Sequence, residues 1–176
     1  KHGLIHSIEY LDKVKSFDIL KIVELEDLIW ESILIKNDII TKDPFEKNIR
    51  KTLNYGHTLG HAIESYSLDQ NKFPVLLHGE AIAIGMILTN YISFIQLGFP
   101  EQTLSDTSHY IIKKFNKYIF SKEDINAIIN LLKFDKKNYN DKVLFVLLND
   151  IGNYKLNCEV SNSLILEAFK YYKNYK

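Results

Sequence analysis

The chain has 176 residues, enough for one domain with its own core and too few for two full ones. Hydrophobic residues make up 46% and charged residues 25%, proportions that exclude a disordered or fibrous chain. Lysine plus arginine and aspartate plus glutamate each number 22, so a net charge of zero argues against bulk electrostatic binding to nucleic acid or an anionic membrane. The single cysteine, Cys158, leaves no partner for an internal disulfide or a cysteine zinc cluster, and a reducing, cytoplasmic setting is expected. No membrane span is expected, because no run approaches roughly 18 consecutive apolar residues.

The opening Lys1-His2-Gly3-Leu4-Ile5 has no signal-peptide layout and reads as a cut inside a longer protein. With only 7 glycines and 3 prolines, long helices are favoured over many short strands. Leu4 to Val14 reads as one helix. Val23 to Asn37 reads as a second, with Val23, Leu25, Leu28, Ile29, Ile33 and Ile35 spread over one face. Asp43-Pro44 is a helix-start signal, and a helix is predicted from Pro44 through Arg50 to Glu64, ended by Phe73-Pro74. His78 to Gln96 reads as a long apolar helix stopped by Gly98 and Pro100.

Leu104 to Tyr118 is a further helix, and Ser121 caps another that reaches about Lys133, with Glu123 and Asp124 in its first turn. The apolar run Val143 to Leu148 has strand length. Asp150 to Tyr154, with Gly152, reads as a loop, and Tyr154 to Val160 as the partner strand. Ser161 caps a last helix. The expected fold is mainly α: one multi-helix domain over residues 1–176 carrying one small hairpin, which must pack on helices because two strands alone are marginal.

Chemistry concentrates in Asn54-Tyr55-Gly56-His57-Thr58-Leu59-Gly60-His61-Ala62-Ile63-Glu64. His57 and His61 share a helix face, and Gly56 and Gly60 share the neighbouring one. Each glycine costs a helix up to about 1 kcal/mol against alanine, so two of them predict a closely approaching backbone or ligand. An isolated His-x-x-x-His is more often a pair of ordinary polar histidines at a helix crossing. His78, opening the next apolar helix, shifts the balance towards a metal centre, because a catalytic zinc site takes three protein ligands and keeps one position open. Spacing alone pairs His57 with His61. His-Glu-x-x-His is absent, which excludes a zincin protease. His2, His6 and His109 lie in polar surroundings and are read as solvated. Lys36, Arg50, Lys136 and Lys137 stand near element ends, and each alone is ordinary surface charge. Beside a metal and imidazoles they would suit a phosphorylated or acidic polyol.

The segments Arg50-x-x-Leu53-Asn54-Tyr55-Gly56-His57-Thr58-Leu59-Gly60-His61-Ala62-Ile63-Glu64 and Leu77-His78-Gly79-Glu80-Ala81-Ile82-Ala83-Ile84-Gly85-Met86 closely resemble the C-terminal helical domain of 3-dehydroquinate synthase. Lys1 to Ile5, Lys36, Glu46 and Asp135-Lys136-Lys137 extend the resemblance over nearly the whole chain. It implies a phosphate-eliminating cyclase that turns a phosphorylated seven-carbon sugar acid into 3-dehydroquinate. The implied steps are oxidation by NAD, phosphate elimination, reduction, ring opening and aldol closure. A divalent metal, zinc or cobalt, and a common homodimeric state come with the resemblance. The NAD site is expected outside this chain, which has no glycine-rich phosphate loop after a strand.

By position, the resemblance assigns His57 and His78 to the metal and places the third ligand, a glutamate, three residues before Lys1. It gives His61 to the substrate phosphate and to proton transfer. Lys1, Lys36, Arg50 and Asn54 would line the substrate pocket, with one of Lys136 and Lys137 on the phosphate. Glu46 would orient a neighbour rather than react. Related sugar-phosphate cyclases, a polyol dehydrogenase of the glycerol dehydrogenase type and a non-catalytic helical module are the alternatives.

Overall fold

The computed structural model describes residues 1–18, 21–69, 75–132 and 143–175. In chain order the helices are α1 (His2–His6), α2 (Ile8–Ser16), α3 (Ile22–Lys42), α4 (His57–Asp69), α5 (His78–Leu97), α6 (Glu101–Lys114), α7 (Lys122–Leu132) and α8 (Asn162–Asn174). A 3-10 segment, Ile49–Asn54, precedes α4, and strands β1 (Leu144–Asp150) and β2 (Asn153–Glu159) precede α8. The mainly helical architecture with one antiparallel hairpin is as expected, and among the described residues the sheet has two strands.

β1 explains how one hairpin serves the whole domain. Its side chains alternate between two cores: Phe145 and Leu147 pack with α4, α5, α7 and α8, while Val146 and Leu148 pack with α1, α2 and α3. Both faces are therefore apolar, which is why the run is unbroken in sequence. Ser93 Oγ accepts a 3.0 Å hydrogen bond from the Leu148 amide and ties the strand to α5. The hairpin turn holds Gly152 at φ 73°, and its amide donates to the Leu4 carbonyl at 2.9 Å. A Cβ there would stand 2.7 Å from the His6 carbonyl oxygen, so only glycine lets the turn lie on α1.

The caps follow sequence signals. Ser121 Oγ accepts from the Asp124 amide at 3.1 Å while Asp124 accepts from the Ser121 amide at 2.8 Å. Ser161 caps α8 through the Leu164 amide, and Gly98 ends α5 at φ 74°.

Four expectations are corrected. The helix over Leu4 to Val14 is two, because Ser7 is extended and caps α2 through the Tyr10 amide. The helix from Pro44 to Glu64 does not form. Asp43 captures the amides of Lys47, Asn48 and Arg50 in a loop, the 3-10 segment follows, and Gly56 at φ 75° restarts the chain as α4. The helix over Leu104 to Tyr118 starts earlier and stops at Lys114. By length and composition α5 could cross a bilayer, contrary to the expectation that no stretch comes near; most of that helix is buried inside the domain. The Phe73-Pro74 break and the Asp135-Lys136-Lys137 segment lie outside the described residues.

Candidate metal centre and anion cavity

Three glycines set the distance between the helices that carry the imidazoles. A Cβ on Gly85 would stand 2.2 Å from the Gly56 carbonyl oxygen and 2.8 Å from the Gly60 nitrogen. A Cβ on Gly60 would stand 3.0 Å from Ile82 Cα. The α4 and α5 backbones therefore touch, as the paired glycines predicted. Beneath them Tyr55 is fully buried and donates its hydroxyl proton to Asn90 Oδ1. Burial also raises the Tyr55 phenol, so it stays a donor. The start of α5 is closed by Glu80, whose carboxylate accepts the Leu77 amide at 2.8 Å.

This crossing brings His57, His61 and His78 together. One ring nitrogen from each lies within 4.8 Å of the others, and the ring centroids are 5.2 to 5.8 Å apart. The His57 Nδ1 stands 3.1 Å from the Tyr55 carbonyl oxygen, an acceptor, so this nitrogen carries the proton and Nε2 keeps its lone pair. Burial first, then the Lys1 ammonium, hold the His57 pKa down at about 4, against the pull of the Tyr55 carbonyl. His57 is thus neutral near pH 7, the state a metal ligand needs. His78 is exposed, and its Nδ1 lies 3.0 Å from Glu64 Oε2.

Next to His57 opens a cavity of about 570 Å³ lined by Lys1, His2, Lys36, Asn54 and His57 among others. Lys1 Nζ donates to the Leu53 carbonyl at 2.8 Å and stands 3.4 Å from His57 Nε2. Asn54 Nδ2 donates to Glu46 Oε1 at 2.6 Å. Glu46 has a left-handed backbone, φ 55°, uncommon for a residue with a side chain and typical of places where aim matters more than local energy. Such a cavity, with two ammonium groups and an amide beside imidazoles, is suited to an anionic, hydroxylated ligand.

The structure thus brings Lys1, Lys36, Asn54 and His57 to one cavity, Glu46 to Asn54, and His61 and His78 to His57. Arg50 does not line that cavity: its Nη1 donates to the Pro44 carbonyl at 2.6 Å, because the loop replaces the predicted helix. Lys136 and Lys137 lie outside the described residues. His6 and His109 are exposed, as read. His2 is half-buried rather than a plain surface residue: its Nδ1 meets Ser32 Oγ at 2.7 Å, and burial with the Lys1 charge lowers its pKa to about 4. The sequence reading also gave Glu64 no part, although its position seven residues after His57 places it on the same helix face.

A helical domain whose two central helices meet through glycines and gather three imidazoles beside a cationic cavity presents a candidate metal-and-anion site. The chain belongs to the 3-dehydroquinate synthase C-terminal family, whose model matches residues 1–138. It is 38% identical to the 3-dehydroquinate synthase of Parabacteroides distasonis, over 98% of this chain and 49% of that protein. It is 32% identical to the enzyme of the same name from Dictyoglomus turgidum, over 97% of this chain and 48% of that protein. The chain therefore spans about half the length of the curated relatives it matches.

Among solved structures, the fold matches a 2-epi-5-epi-valiolone synthase from Streptomyces hygroscopicus subsp. jinggangensis, described with NAD+ and Zn2+ bound. The TM-score is 0.80 at 15% identity, covering 99% of this chain and 49% of that one. A 2-deoxy-scyllo-inosose synthase, complexed with carbaglucose-6-phosphate, NAD+ and Co2+, matches at TM-score 0.68 and 30% identity, covering 83% of this chain and 41% of that one.

Proposed function

We propose that this chain is the metal- and substrate-binding half of a 3-dehydroquinate synthase, converting 3-deoxy-D-arabino-heptulosonate 7-phosphate to 3-dehydroquinate and phosphate in the shikimate pathway. The observation that carries this reading is the convergence of His57, His61 and His78 beside the cavity of Lys1, Lys36 and Asn54. A divalent metal, zinc or cobalt, fits the donor set. His57 is neutral, its Nε2 lone pair meeting the Lys1 ammonium at 3.4 Å, which a metal would displace, and a second imidazole approaches from α5. Bound there, the metal supplies Lewis acidity toward a substrate oxygen, and NAD, held mainly by residues beyond this chain, supplies reversible hydride transfer.

The chain's own residues bind and orient. Lys1 and Lys36 neutralise the phosphate and carboxylate of the substrate, joined by one of Lys136 and Lys137. Arg50 joins them once its guanidinium leaves the Pro44 carbonyl. Asn54, aimed by Glu46, fixes a ring hydroxyl. His57 and His78 are the protein's imidazole ligands, completed by a carboxylate from outside the chain. His61 contacts the phosphate and moves a proton there. The enzyme is a carbon–oxygen lyase, a cytoplasmic homodimer with neither nucleic acid nor membrane as partner, and the 176-residue chain alone does not turn over. A second reading, a related sugar-phosphate cyclase, is favoured by the 30% identity to the inosose synthase.

Two experiments on the full-length protein test this. Incubated with NAD and Co2+, it should release phosphate from the heptulosonate phosphate and not from glucose 6-phosphate; the reverse preference selects the second reading. His57→Ala and His78→Ala should each lose most of the bound metal, whereas His61→Ala should keep it and lose turnover. Metal loss in His61→Ala with retention in His78→Ala overturns the assignment in favour of the pairing that spacing alone suggests.

A further inference from the structure

We propose that Glu64 is a positioning residue for His78: its carboxylate holds the imidazole in the tautomer and orientation that turn Nε2 toward His57 and His61. The inference rests on the metal-centre reading above.

His78 is the first residue of α5 and is exposed, so packing does not lock its ring. Its Nδ1 meets the Glu64 carboxylate, 3.0 Å from Oε2. An ionised carboxylate only accepts, so Nδ1 carries a proton, and in the neutral imidazole Nε2 is then the nitrogen with the lone pair. His57 has the same arrangement, with the Tyr55 carbonyl as acceptor at 3.1 Å. Two imidazoles from different helices thus reach the same protonation pattern through different acceptors, which is what ligation through Nε2 requires.

Glu64 is well placed for this. It lies on α4, three residues after His61 and seven after His57, on the face that carries both. The contact of Gly85 with Gly56 and Gly60 fixes how far α5, and with it His78, stands from that face. An ordinary solvated ion pair between surface groups would be worth little and would leave the ring free. Here the carboxylate and the two other imidazoles belong to one rigid helix, so the hydrogen bond sets an angle as well as an energy.

The test uses full-length protein freed of metal, with Co2+ as the probe. Affinity is read by competition with a chromophoric chelator, and the His78 tautomer by 15N–1H correlation in the metal-free state. Wild type should show His78 protonated at Nδ1. Glu64→Gln, a neutral acceptor, should bind Co2+ roughly tenfold more weakly, and Glu64→Ala up to about a hundredfold, the range found for lost partners of ligating histidines. In Glu64→Ala the proton should move to Nε2. Affinity within twofold of wild type in a folded Glu64→Ala, or a wild-type His78 protonated at Nε2, overturns the proposal. If Glu64→Ala does not fold, Glu64→Gln and the wild-type tautomer still decide. If wild type binds no Co2+, or His57→Ala and His78→Ala retain it, the metal reading fails instead, and the tautomer alone decides what Glu64 does.

Discussion

The two longest helices, α3 with 21 residues and α5 with 20, are both rich in isoleucine and leucine, yet they meet water differently. α5 buries Ala81 to Gly85 and then Ile87, Leu88 and Ile92, the last three with no exposure at all. α3 buries Ile35 and Ile39 but leaves Val23 74% and Trp30 61% exposed, with Ile29, Ile33 and Leu34 near half. Charge separates them first, with seven acidic or basic residues in α3 against one in α5, and the small residues add to the difference. Gly85 and the alanines of α5 let α4 approach to backbone contact, while the bulky residues of α3 admit no such neighbour. The division also runs through the site. The imidazoles stand on the tightly packed pair α4 and α5, and Lys36 stands on the loosely covered α3.

Breaking the tight side should have the largest effect. Gly85→Leu would drive a side chain into the Gly56 carbonyl, and the expected outcome is loss of the cooperative thermal transition together with metal binding. Survival of a normal melt would show that the crossing can open. Ile92→Ala, in a fully buried position of α5, should cost about 2–5 kcal/mol in urea unfolding.

Acid should act on His2 of α1 and, in the same window, on His57 of α4. His2 has its pKa lowered to about 4, below the ordinary value of 6.5, so the unfolded chain binds its proton first as pH falls. Stability from this group is complete above about 6.5 and is lost progressively down to about 4. His2→Asn, which can still meet Ser32, should flatten the dependence of the melting temperature on pH in that window; an unchanged slope would assign the acid sensitivity elsewhere. The smallest effect belongs to α3: Trp30→Ala should change the stability of this chain by no more than about 0.5 kcal/mol. A loss above 2 kcal/mol would mean that α3 is as well packed as α5.

What the sequence made legible was local. The hairpin could be read because Val143 to Leu148 serves two cores and Gly152 marks the turn, and α5 because Gly98 ends it. The His57 and His61 pair followed from helical spacing, and the close helix approach from Gly56 and Gly60. The break between Pro44 and His57 was illegible because it depends on Asp43 binding three amides further on and on α5 lying against Gly56. That same break carried Arg50 away from the face a continuous helix would have given it. His2 looked solvated because its burial comes from α3, through Ser32 thirty positions later. Glu64 escaped notice since its partner His78 arrives on another helix.

The hydrogen bond from the Gly152 amide to the Leu4 carbonyl bears on how the site is built in time. It joins the hairpin tip to the turn that carries Lys1 and His2, with almost the whole chain between its two ends. A ribosome delivers Lys1 long before Gly152 exists. The imidazoles of α4 and α5 come from neighbouring helices and can assemble early, through contacts of modest sequence separation. The wall of the cavity made by α1 is tied to Leu53 and Ser32 earlier in the chain and gains its last tie when the hairpin closes over it. A chain released before Gly152 would therefore carry the three histidines and the Lys1 contact with Leu53 but lack the tie that holds Leu4, and the cavity wall would be completed last.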